Sequence, residues 1–115
     1  MTKLTFEQKR LAVICFNHVQ SQWVWHMGRL ILDKHGRGEA RTFIKKECKW
    51  FGHMAPPPSC VHVQADEKGT AMVLRRQERE VARLTWNEFV DFMEQYPFCP
   101  RSTAEIDEEE LMSVF

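Results

Sequence analysis

At 115 residues, the chain fits one domain of the usual ~50–200 residues, and its 43% hydrophobic and 28% charged residues exclude a disordered or collagen-like chain. Sixteen Lys and Arg cancel sixteen Asp and Glu, which removes the simplest case for a general nucleic-acid or anionic-membrane binder. No run reaches the ~18 apolar residues of a membrane span, and Met1 to Thr5 lacks the apolar core of a secretory leader, so a cytoplasmic location is expected.

The opening segment carries Thr5 and Gln8 at capping-box spacing, in which each side chain satisfies an orphan amide of a helix start. One long helix is predicted from Phe6 to Leu32. On a helical wheel Phe6, Ala12, Val13, Phe16, Val19, Trp23, Val24, Met27, Leu30 and Ile31 fall on one broad arc, the expected core face. His35-Gly36-Arg37-Gly38 then predicts a loop, because glycine tolerates positive φ. A second helix is predicted over Glu39 to Phe51, with Ala40, Phe43, Ile44, Trp50 and Phe51 on its inner side.

Gly52 stops that helix, and Pro56 to Pro58 lack amide donors, which makes this stretch the best internal boundary. Beyond it the period changes to alternation at Cys60-Val-His-Val63. Asp66 to Gly69 reads as a turn, and Ala71 to Leu74 as a returning strand. A second turn near Gln77 to Arg79 completes a three-stranded antiparallel meander ending at Leu84. Thr85 and Glu88 form another capping box, and Trp86, Phe89, Val90, Phe92, Met93 and Tyr96 follow at helical spacing. The reading is a single α+β domain, α-α-β-β-β-α, over residues 1–101, with 102–115 as an acidic tail or short docking helix.

Charge divides unevenly along the chain. Met1 to Trp50 holds ten basic and four acidic residues, and Phe51 to Phe115 six and twelve, so a bipolar molecule is expected. Cys15, Cys48, Cys60 and Cys99 form no close pairs and predict free thiols.

The first helix has a second apolar stripe, in which Leu11, Ile14, Trp25 and Leu32 fall with His18 and Arg29 opposite the main arc. A helix apolar on two sides needs two partners. Either it runs through the centre of the fold, or Leu11, Ile14, His18, Trp25, Arg29 and Leu32 form a partner-binding face. Pairing of that face with a second copy would make a homodimer.

Two further sets stand as alternatives. Arg37, Arg41, Lys45, Lys46 and Lys49 make a basic helical face at spacings that could follow a phosphate backbone. Cys48, His53, Cys60 and His62 offer four zinc-type ligands, although their spacing departs from the close pairs of the common fingers. The acidic tail with Asp91 and Glu94 could instead mimic nucleic acid toward a basic partner. No phosphate-cradling glycine loop, nucleophile elbow or metalloprotease motif occurs in the sequence.

The preferred expectation is therefore a small cytosolic interaction module, not an enzyme and without a cofactor, that occludes a surface of a larger protein or complex. Small proteins of this kind often serve mobile genetic elements as inhibitors, a general background expectation that no particular residue carries.

Overall fold

Two reciprocal caps set where the first and last helices begin. Thr5 N–H donates to Gln8 Oε1 at 2.8 Å and Gln8 N–H to Thr5 Oγ1 at 3.2 Å. Thr85 N–H donates to Glu88 Oε1 at 2.9 Å and Glu88 N–H to Thr85 Oγ1 at 3.0 Å. Four orphan amides are thereby satisfied. In the computed structural model, which describes residues 4–14, 16, 18–51, 60–76 and 79–95, the elements are α1 (Phe6–Ile14), α2 (Val19–His35), α3 (Arg37–Phe51), β1 (His62–Ala65), β2 (Met72–Arg76), β3 (Arg79–Leu84) and α4 (Trp86–Gln95). The α+β class and the meander are as expected. The proline stretch at 56–58, the turn at 77–78 and the tail beyond 95 lie outside the described residues.

The predicted long rod is two helices. Phe16 N–H reaches only to the Val13 carbonyl, at 3.2 Å, the i−3 bond that tightens a helix end. His18 then takes extended backbone angles, φ −87° and ψ 133°, and its Nδ1 accepts from Gln20 N–H at 3.3 Å. It is the N-cap of α2. Gln22 closes the joint by donating its side-chain amide to the Phe16 carbonyl at 3.2 Å. Histidine is not among the usual N-cap residues, so nothing typical in the sequence marked the break.

The predicted loop at 35–38 is a single-residue joint. Gly36 caps α2 at φ +90°, a left-handed angle that favours glycine. Its N–H bonds the Leu32 carbonyl at 3.1 Å, its own carbonyl accepts from Ala40 N–H at 3.2 Å, and α3 starts at once. So short a link makes α2 and α3 close neighbours. At Gly28 the approach is tightest, since a Cβ there would stand 3.2 Å from Ile44 Cγ1 and 3.3 Å from Met93 Sδ. One missing side chain thus lets α2 lie against both α3 and α4.

The sheet order is β1-β2-β3, antiparallel throughout, with Val63 opposite Leu74 and Leu74 opposite Ala82. Those three residues, together with Met72 and Leu84, are buried in the same cluster as Val13, Phe16, Val24, Trp25, Ile44, Cys48 and Phe89. Residues from both sides of the proline stretch therefore share one core. The β1–β2 turn is tied by Asp66, which accepts from Thr70 N–H at 2.7 Å and Thr70 Oγ1 at 2.8 Å, while Gly69 supplies φ +70°. Ser21 of α2, itself buried, accepts the Val63 N–H at 3.1 Å. The helix thereby satisfies a backbone donor of strand β1.

The unevenly charged halves fold onto one another. Arg37 pairs with Asp91 at 2.8 Å and also with Glu94, Arg41 donates to Asn87 Oδ1 at 2.9 Å, and Lys9 pairs with Glu88 at 3.0 Å. Basic residues early in the chain meet acidic and polar residues late in it; Glu105 to Glu110, which underlie much of the expected bipolarity, lie outside the described residues.

Candidate functional site

The stripe expected to bind a partner is, on α2, an inner face. Trp25 is 1% exposed and meets Phe89 edge-on with ring centroids 5.6 Å apart. Leu32 is half-buried and packs against the core. Arg29 donates to the Met93 carbonyl and stands 3.6 Å from Asp33, so its guanidinium satisfies a carbonyl in the last turn of α4. His18 is the N-cap. The side chains of Leu11 and Ile14 lie outside the described residues. For Trp25, Leu32 and Arg29 the central-helix alternative holds, because α3, α4 and the sheet enclose that side of α2.

Part of the arc assigned to the core is exposed, although Ala12, Val13, Phe16 and Val24 of the same arc are fully buried. Val19 is 73% exposed and Trp23 43%. Across from them on α3, Trp50, also expected inside, is 62% exposed. Val19, Gln20, Trp23, Glu47 and Trp50 line an open groove of about 350 Å³ between the two helices. Phe43 braces one side, its ring 5.5 Å from that of Trp23. α1 ends at Ile14 and α2 begins at Val19, which resets the helical phase, so a wheel drawn continuously from Phe6 misplaces Val19 and Trp23. A signal was present on α3: Phe43, Glu47 and Trp50 recur at i, i+4 and i+7, and so does Val19 with Trp23 at i, i+4 on α2.

Two residues of the basic face are engaged within the molecule. Arg37 and Arg41 bind α4 as described. Lys49 lies over the hairpin turn, close enough that a Cβ on Gly69 would stand 2.8 Å from its Cε. Lys45 is half-buried and Lys46 exposed. The five do not present one free stripe. Asp91 and Glu94, the folded part of the proposed acidic mimic, are the partners of Arg37.

Of the zinc-type set, Cys48 is fully buried, and burial, reinforced by neighbouring Glu47, pushes its thiol far above the ordinary range. A thiol held protonated is a poor zinc ligand. His53 lies outside the described residues, and among the described residues no group of three or more His, Cys, Asp or Glu is placed to hold a metal. His62 instead faces His18, with ring centroids 6.5 Å apart, and its Nδ1 has no hydrogen-bond partner among the described residues. Burial lowers the pKa of both imidazoles. For His62 the Cys60 and Arg75 carbonyls oppose the shift, and the nearby His18 ring and Arg75 side chain add to it.

No protein-family model, curated protein or solved structure matches this chain. Among the described residues no helix is long and apolar enough to cross a membrane.

Proposed function

We propose that this protein is a small interaction module that docks onto a larger protein or complex through the α2–α3 groove and acts by covering the surface it binds. The observation that carries this reading is the exposure of Val19, Trp23 and Trp50 around one groove. Large apolar side chains gathered at a surface favour association with water exclusion. Tryptophan is among the residues that supply most of the binding energy where interfaces are best packed. Gln20 and Glu47 give the groove polar groups that fix orientation. The free thiols Cys48 and Cys60 suit a reducing compartment such as the cytosol.

A photoreactive residue at position 19 of the full chain tests the proposal, with the same residue at exposed Lys68 on the hairpin turn as control. Position 19 is expected to give a discrete crosslinked product in a cell lysate that Trp50→Ala abolishes. Crosslinking at 19 no stronger than at 68 would refute it. A product formed by the purified protein alone would make a second copy the partner.

A further inference from the structure

Glu47 occupies an unusual place on α3. Its neighbours at i−4, i−3, i+3 and i+4 are Phe43, Ile44, Trp50 and Phe51, the positions that share a helical face. Lys45, Lys46 and Lys49 stand one or two residues away, spacings that turn side chains to other sides of the helix. Glu47 is half-buried, yet among the described residues it forms no hydrogen bond and no ion pair. A carboxylate beside apolar surface offers a charge-assisted partner to a cation that docks there. The groove that Glu47 lines is walled by Trp23 and Trp50, with Phe43 behind Trp23. The π-faces of tryptophan attract cations more strongly than those of other side chains.

We infer that the α2–α3 groove is a receptor for an organic monocation, a lysine-type ammonium or arginine guanidinium presented by the partner, held by Glu47 and the faces of Trp23 and Trp50. The inference rests on the reading of this groove as the contact surface and adds the chemistry of what enters it. A volume of about 350 Å³ admits one long side chain. The long apolar stem of lysine or arginine would lie against Val19 and the indoles while its head meets the carboxylate.

The indole N–H signals of the four tryptophans provide the assay, because Trp25 and Trp86 are buried and serve as internal controls. The full chain is titrated with N-acetyl-lysine methylamide, its trimethylated form, N-acetyl-arginine methylamide and a neutral analogue carrying a tert-butyl group in place of the trimethylammonium. The Trp23 and Trp50 signals are expected to move while those of Trp25 and Trp86 stay, and the neutral analogue should bind roughly three- to tenfold more weakly than its cationic isostere. Glu47→Gln should reduce that preference to the part the indole faces supply and leave binding of the neutral analogue unchanged. The three cationic arms decide between ammonium and guanidinium. Equal binding of neutral and charged probes, or Glu47→Gln without effect, overturns the inference yet leaves the groove standing as an apolar contact. Failure of every probe to move Trp23 or Trp50 overturns the inference too, while the crosslinking experiment judges the contact surface separately.

Discussion

Trp23 and Trp25 differ by two positions on one helix and by everything else in their surroundings. Two residues turn an α-helix by about 200°, so one indole enters the core and the other leaves it. Trp25 lies beside Phe89 at 1% exposure, and Trp23 rests on Phe43 at 43%. The sheet, α3 and α4 all close over the Trp25 side, and nothing in the described fold requires the Trp23 side to be apolar. Substitution should separate them sharply. Trp25→Ala is expected to cost about 3–5 kcal/mol of unfolding free energy, as for other fully buried aromatics, and Trp23→Ala about 1 kcal/mol or less. Chemical denaturation of both variants measures this directly, and equal losses would break the comparison.

Next in size is the close contact on the buried side. Gly28 permits α2 to approach Ile44 and Met93. Gly28→Leu should destabilise by about 2 kcal/mol or more through overpacking. In Gly28→Ala the gain in helix propensity, about 1 kcal/mol, is set against contacts of 3.2–3.3 Å, so the net change is expected to be small. A Gly28→Leu variant as stable as the native chain would show that the inner face of α2 is not tightly packed.

Much of the fold was legible because its signals are local. The caps at Thr5 and Thr85 and the turn at Asp66 to Gly69 each depend on residues a few positions apart. Orientation is not local. The apolar residues of α1 and α2 read as two stripes, but which of them are covered on α2 depends on a phase reset at His18, whose ring caps the helix although histidine seldom takes that role. Arg29 and Arg37 likewise read as available cations because their partners, Met93, Asp91 and Glu94, lie far along the chain. The groove is hidden for the same reason: by periodicity both of its tryptophans read as core.

Smaller effects come from the groups that titrate. His18 and His62 have lowered pKa values in the folded protein, against 6.5 when unperturbed. Below that value the unfolded chain takes up protons that the native imidazoles resist. The two rings therefore contribute stability above pH 6.5 that fades as pH falls through their folded values. His62→Gln should flatten the fall in melting temperature between pH 7 and 5. Glu88 acts at lower pH. Burial works against its ionised form, but the Thr85 amide and hydroxyl and the Lys9 ammonium outweigh it and hold the carboxyl below 4.5. Its contribution is present above 4.5 and is lost as pH falls through the folded value. Thr85→Ala, which removes one half of that cap, is expected to cost about 1 kcal/mol at neutral pH.

The smallest expected change in stability belongs to the outer face, and it sharpens the comparison most. Val19→Ser and Trp50→Gln remove apolar area that is already 73% and 62% exposed, so each should alter unfolding free energy by about 0.5 kcal/mol or less. Solubility of the isolated protein should rise in both, since less apolar surface is left to associate. Crosslinking from a photoreactive residue at Gln20, which lines the groove beside Val19, should fall in the same variants. Unchanged stability with lost association is the pattern of a surface retained for a partner. A large loss of stability would instead mean that Val19 and Trp50 support the fold from outside, and the two faces of α2 would then be alike.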